Sequence, residues 1–407
     1  MARNQKPETD KRNQASTDQK PASSIQHPVS SIQHPASSTQ HPASSIQHPV
    51  SSTPHPTPSN RPFIIPIFLP HAGCPHQCVF CNQVSITGSI QQAVNADQIR
   101  SQIHQFLKYK NDRRKPIQIS FYGGNFLGLK FDEITRLLDL ATEFIGQGSV
   151  DSIRFSTRPD TITPDLLNII SEYPVETVEL GVQSMDDHVL ALAERGHNAA
   201  DTVQAVEQLK ELQLNIGLQL MVGLPGDNEA LSLITAEKTA ALGPDFVRIY
   251  PALVVKNSRL ARWYQRGTYA PLSLAEAVTQ VKKLYLLFKK ANIRVIRMGL
   301  QASEDLADEA TVLAGPYHPA FGHLVYSEVF LDAAQQALDS IKTLSDSITI
   351  SVNPRSISKM RGLNNLNIKT LRENYHLKTV EVVPDACLAV DELMVQLRDL
   401  GIEGLGN

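Results

Sequence analysis

From residue 61 onward the chain alternates short apolar runs with amphipathic stretches, and this alternation narrows the fold more than any other feature. Candidate strands lie at 63–69, 117–122, 152–156, 177–181, 215–221 and 246–250. Helical periodicity fills the gaps at 96–108, 132–145, 164–171, 199–212 and 229–242. Strand–helix repetition of this kind sets parallel strands side by side with helices packed over them. The expected class is therefore α/β, a parallel sheet or barrel. Beyond it come a helix at 273–292, a short run at 294–300, a long helix at 327–344, a strand at 347–352, a helix at 365–374 and a strand at 379–383. These read as a small C-terminal α+β accessory unit. The expected organisation is a tail over 1–60, a barrel over 61–300 and the accessory unit over 301–407.

The tail has its own signature. Residues 23–57 hold five copies of a seven-residue unit, Ser-Ser-Ile/Thr-Gln/Pro-His-Pro-Val/Ala/Thr. A period of seven suits a coiled coil, but each unit contains proline, which removes a backbone donor and blocks helix. Apolar content is too low to offset the entropy of ordering. A disordered tail is expected, although its regular histidines (His27, His34, His41, His48 and His55) also suit weak metal binding.

The whole chain carries a net charge of −3 in 407 residues, so no basic excess points to nucleic acid. No apolar run reaches the ~18 residues of a membrane span. The opening hexapeptide, Met1 to Lys6, lacks the apolar segment of a secretory signal. A reducing cytoplasm is the expected compartment.

Chemistry is concentrated in His71-Ala72-Gly73-Cys74-Pro75-His76-Gln77-Cys78-Val79-Phe80-Cys81, a C-x3-C-x2-C spacing in the loop after the first strand. Three thiolates can hold three irons of a [4Fe–4S] cube, which otherwise takes four cysteines. The remaining cysteine, Cys387, lies 306 residues further on, so one iron is left open for a substrate or cofactor. A structural zinc site would want four ligands in separated pairs, with His71 or His76 completing the set. A disulfide framework sits poorly with three cysteines in eight positions and no secretory signal.

Further motifs follow the strands in order. Ser120-Phe121-Tyr122-Gly123-Gly124-Asn125-Phe126 follows the second, Ser156-Thr157-Arg158-Pro159-Asp160 the third, and Glu179-Leu180-Gly181-Val182-Gln183-Ser184 the fourth, with Arg195-Gly196-His197 one helix later. Gln219-Leu220-Met221-Val222-Gly223-Leu224-Pro225-Gly226 ends the fifth strand, and Arg248-Ile249-Tyr250-Pro251 the sixth. Each falls at a strand C-terminus, where barrel active sites are built.

With these motifs in this order, the chain resembles the radical S-adenosylmethionine (radical SAM) superfamily, and within it the elongator catalytic subunit. The elongator-like features extend through Trp263–Tyr269, Arg297-Met298-Gly299-Leu300-Gln301 and Ala314-Gly315-Pro316-Tyr317-His318-Pro319-Ala320, covering roughly 61–385. The resemblance implies a partial (β/α)6 TIM-like barrel, a [4Fe–4S] cluster on Cys74, Cys78 and Cys81, and S-adenosyl-L-methionine on the open iron. By the same resemblance Gly123 and Gly124 meet the methionyl amino group, Arg158 the ribose or carboxylate, Gln183 the ribose, and Arg195 the carboxylate. Arg158 is equally readable as a surface arginine beside a helix cap, and His197 as a structural histidine. Relatives place Glu or Thr where Asn125 stands. An electron donor of the flavodoxin or ferredoxin type is implied as partner.

The elongator subunit continues into an acetyltransferase domain. Here the sequence stops at Asn407, short of the ~150 residues such a domain needs, so a stand-alone relative with its own substrate is expected. Three functional readings follow. The first is a radical SAM enzyme acting on an RNA such as a tRNA base, with the run Lys108-Tyr109-Lys110-Asn111-Asp112-Arg113-Arg114-Lys115 as a candidate phosphate contact. The second is a porphyrin enzyme or haem-handling protein with His318 or His323 as axial ligand, although coproporphyrinogen oxidases carry Asp where Gln219 stands. The third is a non-catalytic iron–sulfur electron-transfer or scaffold protein.

Overall fold

The structure is a computed structural model that describes residues 62–69, 72–82, 95–110, 114–300, 311–341 and 345–398. All of them belong to the compact unit Gln47–Asn407. The heptad repeat, His71, Asn111 to Arg113 and Gln301 lie outside the described residues.

In chain order the elements are β1 (Phe63–Phe68), α1 (Ala96–Leu107), β2 (Ile117–Tyr122), α2 (Phe131–Gly146), β3 (Ser152–Thr157), α3 (Pro164–Ser171) and β4 (Val175–Gln183). Then come α4 (Asp187–Leu192), α5 (Ala199–Glu211), β5 (Asn215–Val222), α6 (Glu229–Ala241), β6 (Phe246–Pro251), β7 (Val254–Val255), α7 (Arg259–Gln265), α8 (Leu274–Lys290) and β8 (Arg294–Met298). The chain continues with β9 (Val312–Ala314), α9 (Phe321–Asp339), β10 (Ser347–Val352), α10 (Ile357–Arg361), α11 (Leu366–Asn374), β11 (Thr379–Pro384) and β12 (Leu393–Leu397).

Seven strands form one sheet in the order β1-β2-β3-β4-β5-β6-β8, each pair parallel. Among the described residues β1 and β8 are free edges, so this is an open half-barrel rather than a closed ring. The seventh strand is the short run at 294–300, which lies within the expected barrel but is not counted among its six candidate strands. Its first four residues alternate between exposed and half-buried before Met298 enters the core, as an edge strand's do.

Period-2 alternation sorts the side chains. Ile65, Ile67, Ile117, Ile119, Phe121, Ile153, Phe155, Leu218 and Ile249 are all buried in one core with Ile134, Leu137 and Leu138 of α2. The intervening positions are polar: Ser120 and Tyr122 on β2, Ser152 and Arg154 on β3, Glu179 on β4, Gln219 on β5 and Arg248 on β6. They face the concave side and line it.

The C-terminal residues make a second sheet, β11-β10-β12, with β10 parallel to β11 and antiparallel to β12. Its core joins Ile348, Ile350 and Val352 to Met360, Leu371 and Val382. The helix α9 serves both cores: Phe321 and Val325 sit in the barrel core, Phe330, Leu331, Ala334 and Leu338 in the second. No helix of the described residues is long and apolar enough to cross a membrane.

Candidate active site

The cysteines occupy the loop leaving β1, at the C-terminal rim of the sheet. Val79, between Cys78 and Phe80, anchors that loop. It is fully buried in a small core with Val189, Ala193, Leu224, Ala252 and Leu260. Its amide donates to Ala193 O at 3.1 Å, and its carbonyl accepts from the Leu260 amide at 2.8 Å. Cys78 is buried, while Cys74 and Cys81 are half-buried and unbridged.

A second anchor comes from the Gly-Gly-Asn turn after β2. A Cβ on Gly124 would lie 2.4 Å from Ala72 O, and one on Gly73 would lie 2.2 Å from Asn125 O. Glycine is needed here because two backbones touch, and Gly123 adds a φ of +93°. Asn125 is wholly buried. Its amide NH2 donates to Gly73 O at 2.9 Å. Its carbonyl oxygen accepts from Thr157 Oγ1 at 2.7 Å, Arg158 N at 3.0 Å and Thr161 Oγ1 at 3.0 Å. The adjoining Phe126 ring stacks on Phe121 and Phe155, with centroids 5.0 and 4.6 Å away. The cysteine loop is thus bolted to the ends of β2 and β3.

The expected cofactor contacts gather around this loop. Arg195 is buried, its Nη1 3.0 Å from Cys78 Sγ and its Nη2 2.5 Å from Gly181 O. Its Nε is buried with no partner. Gln183 ends β4 beyond a register shift with φ +69°, a conformation costing about 1 kcal/mol or more for a residue with a Cβ. Its Oε1 lies 3.5 Å from Gln219 Nε2. Arg158 turns its fork onto Asp160, with Nε and Nη2 each 2.9 Å from a carboxylate oxygen, and Nη2 also donates to Arg195 O. It therefore ties the third-strand motif to the Arg195 segment.

His197 packs under these groups with Nε2 3.3 Å from Val182 O and Nδ1 4.0 Å from Asp160. Burial, then the cations Arg195 and Arg158, pull its imidazole down to about 3, so it is neutral. Burial raises the Cys74 thiol and the neighbouring Cys78 raises it further, while Arg158 and Arg195 oppose them. His318 Nδ1 accepts from the Ala320 amide at 3.1 Å. Burial and Lys359 lower His323.

One layer deeper, four strands meet at Glu179. Arg154 Nε is 2.6 Å from its Oε1, Arg248 Nε is 2.6 Å from its Oε2, and Tyr122 donates to Oε1 at 3.1 Å. Burial alone would raise this carboxyl, but Arg248 and Arg154 together hold it below its ordinary value. Two guanidiniums on one carboxylate leave this floor of the site cationic. The motifs did not single out Arg154. The signal was available as polar residues at every second position of β3, Ser152-Ile153-Arg154, since a core-facing strand on both sides would have no place for them.

The donor set fits an iron–sulfur cube. Among the described residues no three His, Cys, Asp or Glu side chains gather round one metal-ion position, as a single zinc would require. A cube places each thiolate on its own corner iron, and Cys78, Arg158 and Arg195 all lie within charge range of Cys74. Two arginines beside Cys74, one of them also on Cys78, suit an anionic group.

Residues 68–232 match the family model described as the radical SAM superfamily, and residues 244–330 match the radical SAM C-terminal domain. The chain belongs to the radical SAM superfamily. It is a radical SAM enzyme, and the superfamily's [4Fe–4S] cluster and S-adenosylmethionine are its cofactors. Among its relatives is an uncharacterized protein, MJ0486, of Methanocaldococcus jannaschii, 28% identical over 51% of this chain and 67% of that protein. A tRNA uridine(34) acetyltransferase of Methanocaldococcus infernus is 27% identical over 53% of this chain and 47% of that enzyme. The match thus spans about half the length of the acetyltransferase. The structure of M. infernus Elp3 lacking residues 1–46 superposes with a TM-score of 0.52 at 21% identity, covering 67% of this chain and 64% of that one. This last likeness shows the fold, a radical SAM half-barrel.

Proposed function

We propose that Cys74, Cys78 and Cys81 hold the cluster, and that the enzyme uses it on a tRNA base. The observation that carries the cluster assignment is the Cys78 sulfur under the buried Arg195 guanidinium, in a loop fixed from two sides. Bound together, the two cofactors supply reductive cleavage of the sulfonium to a 5′-deoxyadenosyl radical. The chain's own residues orient and enclose them. Arg195 keeps a buried Nε–H without a partner, a charged donor for the cofactor's carboxylate. Gln183 and Gln219 offer amides to ribose hydroxyls. Gly123 and Gly124 hold backbone carbonyls beside the cysteine loop. Asp160 and Arg158 brace Arg195 from behind.

The tRNA reading rests on the relatives named for tRNA uridine(34) acetylation. The basic run after α1 adds little to it. Arg114 donates to Pro62 O and lies over the Phe63 ring, and Lys115 pairs with Asp151. Electrons come from a flavodoxin- or ferredoxin-type donor. The test is anaerobic reconstitution, dithionite reduction and assay of 5′-deoxyadenosine with and without cellular tRNA. Product stimulated by tRNA is expected. Product indifferent to tRNA would discard the RNA substrate, and no product from a loaded cluster would discard the catalytic role of the cysteine loop.

A further inference from the structure

Arg195 makes a contact that cofactor binding does not require. Its Nη1 donates to Cys78 Sγ across 3.0 Å. The geometry is held by the surrounding backbone rather than left to a flexible side chain. Nη2 is fixed on Gly181 O at 2.5 Å, and the Arg195 amide donates to Leu190 O at 3.0 Å. The Arg195 carbonyl accepts from Arg158. Gly196 follows at φ +71°, where a Cβ would come within 2.4 Å of the His76 ring in the cysteine loop. The arginine segment and the loop are therefore pressed together, and Arg195 is only 6% exposed.

A thiolate bound to iron keeps electron density on sulfur. Donors to that sulfur stabilise the more negative, reduced state of a cluster over the oxidised one and raise its reduction potential. The effect is larger where water is excluded, because a buried charge-assisted hydrogen bond is poorly screened. We propose that Arg195 tunes the cluster through the Cys78 sulfur, setting how readily it accepts an electron before any substrate arrives. The same cation keeps Nε unpartnered. One guanidinium then faces both the cluster ligand and the cofactor, and occupancy on one side is felt on the other. The inference rests on the cluster assignment proposed above.

The experiment compares wild-type, Arg195→Lys and Arg195→Gln holoprotein, reconstituted anaerobically and titrated potentiometrically without S-adenosylmethionine. At the wild-type midpoint, the ratio of reduced to oxidised cluster should fall about tenfold in Arg195→Gln, which is 59 mV for a one-electron couple. Arg195→Lys, which keeps the charge but not the fork, should fall in between. Two variants that load a [4Fe–4S] cluster at the wild-type potential would overturn the tuning role. So would loss of loading in both, which would make Arg195 a structural anchor instead. Failure of the wild-type protein itself to take up iron and sulfide would overturn the cluster assignment, and is distinguishable by iron content alone.

Discussion

Asn125 commits both ends of its amide to the backbone around the cysteines, donating to Gly73 and accepting from Thr157, Arg158 N and Thr161. Removing it strands the half-buried Gly73 carbonyl and the buried Arg158 amide, each worth ~1–3 kcal/mol. Asn125→Ala should therefore destabilise the apoprotein by ~3 kcal/mol in chemical denaturation and lower the iron bound per chain after reconstitution. Wild-type iron content in that variant would show that the loop forms without the lock. The sequence showed that Asn125 departs from the Glu or Thr of relatives but not what it does, because its partners lie as much as 52 residues away. His197 carries the site's pH response. Its ordinary value is 6.5, and the fold lowers it to about 3. Below pH 6.5 the unfolded chain binds a proton that the native state refuses, so stability is present above that pH and lost as pH falls toward 3. At pH 5 the loss amounts to ~2 kcal/mol relative to pH 7. His197→Gln should flatten this acid limb, measured as urea midpoints of the apoprotein between pH 7.5 and 5. An unchanged limb would place the titrating group elsewhere.

The cysteine loop is short and lacks regular structure of its own, so its shape is imposed by what it touches. Gly124 makes one of the tight backbone contacts. A methyl group there meets Ala72 O at 2.4 Å, and neither backbone can retreat without breaking the Asn125 amide bond to Ala72 O. Gly124→Ala should thus cost cluster loading while leaving the sheet folded, seen as lost visible absorbance with unchanged far-ultraviolet circular dichroism. Cys74→Ala, Cys78→Ala and Cys81→Ala should each abolish the site-differentiated cluster. Any of them that still cleaved S-adenosylmethionine would not be a ligand. The spacing of the cysteines and the motifs at strand ends were readable because each is local. Strands β2 and β10 fall on the expected 117–122 and 347–352, because an apolar residue returns at every second position of each. Two of the edge strands were not readable as strands, although the edges β1 and β11 were expected at 63–69 and 379–383. β8 and β12 are half-buried to exposed along most of their length, and their identity comes from pairing with a neighbour rather than from apolar content. The Glu179 layer was hidden for a related reason: its partners sit on β2, β3, β4 and β6 and share no sequence window.

At the scale of the molecule, the barrel and the C-terminal sheet are joined through one helix rather than by a linker. α9 gives Phe321 and Val325 to the first core and Phe330, Leu331, Ala334 and Leu338 to the second. A helix cannot melt at one end of a packed face without exposing apolar surface there, at ~25 cal/mol per Å². Asn367 adds a polar tie, its buried amide donating to Ser327 O at 2.9 Å in the middle of α9. Lys282 of α8 reaches Asp332 at 2.6 Å from the barrel side. The two cores should consequently unfold together. Leu338→Ala, which truncates a side chain 1% exposed in the second core, should cost ~2–5 kcal/mol. The loss should appear equally in the near-ultraviolet signal of the whole chain and in the denaturant midpoint at which a reconstituted cluster is released. Coincident shifts are the mark of one cooperative unit. A variant whose C-terminal sheet melts early while the cluster stays bound would show that α9 bends or frays between its two cores, and that the substrate end of the barrel is stable without the unit behind it.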